Sequence, residues 1–244
     1  MNTDIKEEKR KLREYIWKLL ETRNIARFPR PVYGRIPNFE GAEKAAENLF
    51  KTNIWKRARV VKVNPDSPQK PIRYRALVEG KILIVATPRL RQGFVLLEPN
   101  EVPVNNFNFA STIKGFLVYG KPIKLTEVPR IDLIVTGSVA VDKYGGRLGK
   151  GGGYAELEYG ILREIGAVND KTPIATTVHD LQIVDRVPLE KHDLRVDIIA
   201  TPTRLVHVNP PPPKPRGIYW ELLSSDKWEL EVIRELARLK GIRH

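Results

Sequence analysis

Hydrophobic positions in the first quarter of the chain follow helical spacing, with a break between two helices. Across residues 9–20 the apolar side chains recur at intervals of three and four, which predicts an amphipathic helix. Prolines and a glycine interrupt residues 27–37, so this segment is predicted to be an ordered loop. Asn38 can cap a second helix that begins near Glu40, with alanines and Leu49 on its inner face.

Short apolar runs farther along the chain predict strands, and longer periodic segments predict helices between them. The predicted strands are 59–63, 81–86, 93–97, 133–135, 174–178, 182–184 and 197–200. Residues 72–78 fit a helix or a strand, and helices are predicted at 155–165 and 228–240. This alternation predicts an α/β fold of three layers, in which helices cover both faces of a central, mostly parallel, Rossmann-like sheet.

The proline run NPPPPKPRG after Val208 divides the chain. It must be extended, because proline restricts the backbone and removes a hydrogen-bond donor. We therefore predict an α/β domain over residues 1–207. Residues 208–244 are predicted to form a proline-rich extension and a C-terminal helix that packs on the same domain. The run is also typical of polyproline ligands for partner domains.

Composition narrows the functional classes. The chain of 244 residues has no cysteine, which excludes disulfides and thiolate chemistry. No apolar run approaches the roughly 18 residues that a membrane span needs, and the charged N-terminus lacks a signal-peptide pattern, so a cytoplasmic location is expected. The net charge of +13 favours an anionic partner such as a nucleotide or nucleic acid. The cations are spread along the whole chain, however, which also fits an ordinary solvated surface.

The segment RLGKGGGY, residues 147–154, is the strongest chemical signal. It follows a predicted buried strand and precedes a predicted helix that begins near Tyr154. Glycines let backbone N–H groups approach an anion, and a helix N-terminus adds further donors. These glycines are Gly149, Gly151, Gly152 and Gly153. Arg147 and Lys150 add positive charge, so the loop is predicted to bind ATP phosphates, although a flexible hairpin fits the same residues. The spacing matches neither the P-loop nor the dinucleotide-binding fingerprint.

Two further pairs of charged residues are candidate ligands. Asp193 and Asp197 flank the start of a predicted strand, where carboxylates suit magnesium bound to phosphates. A capping role and a strand-opening role fit them equally well. Lys9 and Arg13 are four residues apart and share one helix face. That face is either solvated or delivers two cations to a polyphosphate.

Several of these segments together resemble the 5-formyltetrahydrofolate cyclo-ligase (methenyltetrahydrofolate synthetase) family. They are KRKLR, PRLR, IDLIV, RLGKGGGY and PLEKHDLRVDIIAT. The longer segments GKGGGYAELEYGILREIGAV, TTVHDLQIVD and PKPRGIYWELL are more similar to the divergent methenyltetrahydrofolate synthetase domain-containing branch.

The resemblance implies an enzyme that uses ATP and Mg2+. In the implied reaction, the formyl oxygen of 5-formyltetrahydrofolate is phosphorylated, a neighbouring nitrogen closes the ring, and phosphate leaves to give 5,10-methenyltetrahydrofolate. Such chemistry depends on positioning and charge neutralisation. A related pterin is an alternative substrate, and a non-catalytic nucleotide- or RNA-binding protein is the alternative function. Nucleic acid is the less favoured partner, and the oligomeric state is not predicted.

The resemblance also implies roles for individual residues. The ATP phosphates are expected at Lys9, Arg13, Arg147, Gly149, Lys150, Gly151, Gly152, Gly153 and Tyr154. Arg147 and Lys150 are the expected catalytic residues, and Glu156 and Asp193 the expected metal ligands. Asn38, Glu40 and Tyr154 are expected to contact the substrate.

Three positions depart from the family pattern. Ala155 and Glu156 stand where the pattern has tyrosine and aspartate, and Leu90 stands where an aromatic pterin contact is expected.

Overall fold

The computed structural model describes residues 2–242, which form nine α-helices and thirteen strands. The helices are α1 (Asn2–Thr22), α2 (Ala42–Phe50), α3 (Asn53–Arg57), α4 (Lys70–Val78), α5 (Phe107–Ala110), α6 (Ile113–Tyr119), α7 (Tyr154–Glu164), α8 (Ser225–Trp228) and α9 (Glu231–Lys240). The strands are β1 (Ala26–Arg27), β2 (Asn38–Phe39), β3 (Val60–Val63), β4 (Ile82–Ala86), β5 (Phe94–Leu97), β6 (Lys121–Ile123), β7 (Leu133–Thr136), β8 (Ala140–Asp142), β9 (Arg147–Leu148), β10 (Ile174–Thr177), β11 (Ile183–Val184), β12 (Ile198–Ala200) and β13 (Leu205–His207).

Eight strands form the central sheet, in the order β13-β12-β10-β7-β3-β4-β5-β6. The five strands from β12 to β4 run parallel to one another, and β13, β5 and β6 each pair antiparallel with the strand before them toward the sheet centre. The chain proceeds from β3 to β4 on one side and then returns to β7 on the other. The order therefore reverses between β3 and β7, and in α/β sheets the crevice beyond such a reversal is the usual ligand position.

Hydrophobic cores lie on both faces of this sheet. Leu133 and Val135 point into one core together with α2 and α4, whereas Ile134 points into the other core with α7 and α9. Alternate residues of a strand face opposite sides, so a strand covered on both faces must be apolar throughout. This arrangement confirms the predicted three-layer α/β fold with a mostly parallel sheet.

Most predicted elements are present, with informative differences at their ends. Residues 72–78 belong to the helix α4, in which Pro71 occupies the first turn, where the missing N–H costs no hydrogen bond. The C-terminal helix begins at Glu231, because Trp228 ends the separate helix α8. Strand β13 and the hairpin of β8 and β9 were not predicted. That hairpin separates the buried strand β7 from the glycine segment.

The C-terminal helix α9 packs against the face of the sheet that α7 covers. Val232, Ile233 and Leu236 belong to the same core as residues of β4, β7 and α7. The division of the chain at residue 207 stays a prediction. Within residues 2–242 no helix is both long and apolar enough to cross a membrane.

Candidate functional site

Residues 149–153 form a loop between β9 and α7, here called the glycine loop. Gly151 and Gly153 have φ values of +103° and +66°, a left-handed conformation that side chains with a Cβ rarely adopt. Gly153 is the N-cap of α7, and among residues 2–242 no side chain forms a capping hydrogen bond at this helix end. The first backbone N–H groups of α7 therefore lie at the loop and are available to a ligand.

Arg147 fixes this loop to the end of the central sheet. Its Nε and Nη2 atoms donate to the carbonyl oxygen of Gly137, at 3.0 and 2.7 Å, directly beyond β7. Its Nη1 atom pairs with Glu156 Oε1 at 2.6 Å, and its side chain is only 2% exposed. Arg147 is thus an anchor whose guanidinium already has protein partners.

A cavity of about 500 Å3, here called the α1 cavity, lies on one side of the glycine loop. Lys6, Lys9 and Arg13 of α1 line it, together with Gly149, Gly151, Gly153, Glu156, Glu190, His192 and Asp193. Apolar side chains from the loop, from α7 and from the C-terminal segment complete its wall. Cations, carboxylates and free backbone donors are therefore collected around one space.

Lys9 and Arg13 lie on the cavity-facing side of α1. The buried Lys9 places Nζ 2.8 Å from Glu190 Oε2 and 2.5 Å from Asp193 Oδ2. Arg13 donates from Nε to the carbonyl oxygen of Gly149 at 2.7 Å. The helix thus brings two cations to the carboxylates and to the loop, which makes the solvated-face interpretation of these residues wrong.

Two carboxyl groups of the α1 cavity, those of Glu156 and Glu190, have lowered pKa values. Burial by itself raises the pKa of Glu156. The nearby charge of Arg147 and a hydrogen bond from the Glu156 backbone, with weaker effects of His192 and Lys9, together outweigh burial and lower this pKa. The hydrogen bond from Lys9 lowers the pKa of Glu190. Donor atoms of Glu190, His192 and Asp193 lie within 4.8 Å of one another, so this cluster can hold a cation.

A second cavity of about 510 Å3, here called the β3 cavity, lies on the other side of the loop. The residues that follow β3 line it, including Asp66, and so do those that follow β4, including Arg89. It lies at the carboxyl ends of β3 and β4, beside the reversal in strand order. Lys150 and Asp66 both line this cavity, and Lys150 Nζ pairs with Asp66 Oδ1 at 2.9 Å.

The two cavities share the glycine loop as their boundary. Gly149, Gly153 and Glu156 line both. Arg147, Lys150, Gly152 and Tyr154 line only the β3 cavity, so the predicted phosphate-binding set is divided between the two sides. Ala155 also lines the β3 cavity.

A buried ion pair supports the base of the β3 cavity. Lys62, in the middle of the central strand β3, pairs with Glu158 of α7 and donates to Asn64 Oδ1 at 2.8 Å. Burial raises the pKa of Glu158 even though Lys62 attracts its charged form. This pair connects α7, which follows the glycine loop, to β3, one of the two strands between which the strand order reverses.

Four residues considered in the sequence analysis lie away from both cavities. Asn38 donates to the Phe28 carbonyl oxygen, and Glu40, with a side chain 61% exposed, pairs with Arg27. Neither lines the α1 or the β3 cavity, and β1 pairs with β2 in this segment, so their contact with the substrate stays a prediction.

The other two have structural roles. Leu90 is fully buried in the core, so it does not take the place of a pterin contact. Asp197 accepts the backbone N–H of Ile174 at 2.8 Å and pairs with Lys214, which agrees with its structural interpretation.

Sequence reasoning missed Asp66 and Glu190. Asp66 follows the predicted strand 59–63 at a turn-like Asn-Pro-Asp sequence, and the carboxyl end of a parallel strand is where site residues are expected. Glu190 precedes Asp193 by three residues in the same segment. The C-terminal segment also lines the α1 cavity, and no local sequence pattern predicted this.

Comparison with known proteins identifies relatives of the whole chain. The family model of the 5-formyltetrahydrofolate cyclo-ligase family matches residues 5–202. The methenyltetrahydrofolate synthase domain-containing protein of Bos taurus is 44% identical over 241 residues, which cover 97% of this chain and 62% of that protein. The corresponding protein of Homo sapiens is 41% identical and is covered to 61%. The chain thus spans less than two thirds of the length of these curated relatives.

Two further similarities are more distant. The 5-formyltetrahydrofolate cyclo-ligase of Escherichia coli (strain K12) is 33% identical over 76 residues, 31% of this chain and 39% of that enzyme. The solution structure of 5,10-methenyltetrahydrofolate synthetase from Aquifex aeolicus superposes with a TM-score of 0.52 at 20% identity, covering 82% of this chain and 93% of that one. This structure has the same fold. Since the family model covers most of the chain and the longer relatives share over 40% identity with it, the chain belongs to the 5-formyltetrahydrofolate cyclo-ligase family.

Proposed function

We propose that the protein converts 5-formyltetrahydrofolate to 5,10-methenyltetrahydrofolate in a reaction that requires ATP and Mg2+. The observation that supports this proposal is the glycine loop between two cavities of about 500 and 510 Å3. A reaction that transfers a phosphoryl group between two bound molecules needs their reacting ends to meet at one place. The loop residues that line both cavities provide such a place.

The α1 cavity suits the nucleotide. Lys9 and Arg13 lie on its wall beside the glycine loop, and the uncapped N-terminus of α7 adds backbone donors. Phosphate oxygens accept hydrogen bonds from such groups, and their charge is favoured at a helix N-terminus. Arg147 contributes by holding the loop in position, since its donors are already engaged.

The chemistry of the donor set in the α1 cavity fits magnesium. Glu156, Glu190 and Asp193 line it, and magnesium prefers carboxylate and phosphate oxygens. The Lys9 ammonium pairs with both Glu190 and Asp193, so binding of a metal at these carboxylates requires Lys9 to move toward the phosphates. When bound, magnesium would neutralise phosphate charge. Glu156 pairs with Arg147, so its availability to a metal depends on release of that ion pair.

The β3 cavity suits the folate. Tyr154 offers an aromatic ring to a pterin, Asp66 offers a carboxylate and Lys150 a cation. Asp66 takes the role that was predicted for Asn38 or Glu40, because it reaches the cavity and they do not. Lys150 belongs to the loop and pairs with Asp66 at the β3 cavity. Its ammonium group can therefore stabilise negative charge that develops near the formyl oxygen during the transfer.

The test combines ATP binding with turnover. Purified protein is titrated with ATP and Mg2+ by calorimetry, and formation of the methenyl product from 5-formyltetrahydrofolate is followed by absorbance. We expect both binding and turnover, and an R13Q variant should bind ATP about tenfold more weakly or worse, because a charged hydrogen-bond donor is lost. R10Q is the matched control, since Arg10 lies on the same helix with its side chain 54% exposed and lines neither cavity.

The outcomes separate the hypotheses. ATP binding without methenyl product would refute the proposed reaction and point to a different acceptor. Absence of ATP binding would refute the enzyme function and favour the non-catalytic alternative, for which the net charge of +13 suggests RNA as a ligand.

A further inference from the structure

The C-terminal segment of residues 217–227 forms one side of the α1 cavity. Ile218, Tyr219, Leu222 and Leu223 line it with apolar surface, and Lys227 lines it with a cation. The match to the family model ends at residue 202, so these residues lie outside the part that the model covers, although the relatives that match 97% of the chain extend over them. This cavity wall is therefore formed by a part of the chain that the family model does not describe.

Several contacts hold the segment firmly against the domain. A Cβ on Gly160 of α7 would lie 2.9 Å from Ile218 Cγ1, so glycine at this position lets the segment approach the helix closely. The backbone N–H of Ile218 donates to Glu164 at 3.3 Å, and the Tyr219 hydroxyl donates to the Lys191 carbonyl oxygen at 3.2 Å. The wall is thus part of the folded structure.

Lys227 reaches the glycine loop from this wall. Its Nζ atom lies 2.7 Å from the position that a Cβ on Gly153 would occupy and 5.9 Å from the centre of the Tyr154 ring. The side chain is half-buried. Lys9, in contrast, already pairs with two carboxylates, whereas Lys227 forms no ion pair with any carboxylate in the described part of the chain. The charge of the exposed neighbour Asp226 attracts Lys227, and a phosphate at the backbone donors of the loop would supply a second, closer anionic partner.

We propose that Lys227 binds a phosphate group of the nucleotide, and that the apolar residues of the same segment form the wall beside its base and sugar. This inference rests on the proposed binding of ATP in the α1 cavity. The cations of α1 and Lys227 would then approach the phosphates from different walls of the α1 cavity. The C-terminal segment would thus add nucleotide affinity from outside the residues that the family model covers.

The experiment compares K227Q with the wild-type protein and with K171Q. Lys171 is exposed, lines neither cavity and loses the same charge on substitution. Binding of ATP, tripolyphosphate and adenosine is measured by calorimetry in Mg2+. We expect K227Q to bind ATP and tripolyphosphate about tenfold more weakly and adenosine as the wild type does, because only phosphate contacts are lost. K171Q should bind all three normally, and K227R should recover most of the phosphate affinity.

Thermal unfolding separates binding from folding. Lys227 has no ion pair to lose, so K227Q should unfold at the temperature of the wild type. Unchanged ATP affinity in K227Q would overturn this inference and leave the proposed function intact. If K227Q weakens adenosine binding as much as ATP binding, the inference is also overturned, because that result would indicate a structural role for Lys227. If the wild type binds neither ATP nor tripolyphosphate, the proposed function and this inference both fail.

Discussion

Removal of Lys62 is the most informative perturbation of the buried ion pair that supports the base of the β3 cavity. The side chains of Lys62 and Glu158 are only 3% and 6% exposed, and their ion pair connects β3 to the helix behind the glycine loop. Replacing Lys62 with methionine leaves Glu158 buried without its cation. Breaking a buried pair in this way costs about 3–5 kcal/mol. For a protein of this size, we expect a loss of at least 3 kcal/mol, which lowers the melting temperature by about 6–12 °C.

The loss should depend on pH in a defined direction. Burial raises the pKa of Glu158 in the folded protein, and removal of Lys62 raises it further. Between the two pKa values, the folded state of K62M therefore holds a proton on Glu158 that the unfolded state has released. This proton stabilises the folded state, and the stabilisation is lost as the pH rises through the folded pKa. The free energy of unfolding of K62M should consequently be close to that of the wild type at about pH 5 and differ most at about pH 8.

Urea unfolding followed by circular dichroism at several pH values measures this effect. K56M is the control, because Lys56 is exposed in α3, and its free energy of unfolding should change by less than about 0.5 kcal/mol. The double variant K62M/E158L should recover most of the lost stability, since two apolar side chains replace the charges. A loss that is the same at every pH, or that persists in the double variant, would refute the assignment of the cost to an unpaired Glu158.

Two predictions concern the ligand-binding surface itself. In G153A an alanine must adopt a left-handed backbone with φ of +66°, which should lower the free energy of unfolding by about 1–2 kcal/mol. The added Cβ also meets Lys227. Calorimetry should therefore show weaker ATP binding. Gly166 has φ of +75° with no atom near an added Cβ, so G166A should lose similar stability but keep its ATP affinity, and equal ATP loss in both would contradict the local explanation. D193N should remove much of the Mg2+ dependence of ATP binding, because only Glu190 and one other carboxylate remain in that wall; an unchanged magnesium titration would exclude Asp193 as a ligand.

Local pattern was sufficient for most of the fold. Apolar runs such as residues 81–86 predict strands buried on both faces, and the structure has β4 there. Residues 72–78 were ambiguous because seven residues can satisfy either spacing, and packing against the sheet decides for α4. Strand β13 has three residues that are only partly buried or exposed, so its hydrophobic pattern was too weak to predict.

The sequence by itself determined the local chemistry of this protein. It identified the glycine loop, the start of α7 and the shared helix face of Lys9 and Arg13, because each depends on residues close together in the chain. Only the tertiary structure decided which cavity each group serves. It placed Lys150 opposite Asp66, 84 residues away, and Lys62 opposite Glu158, 96 residues away. Such partners are selected by the packing of whole strands and helices, and local spacing carries no record of that packing.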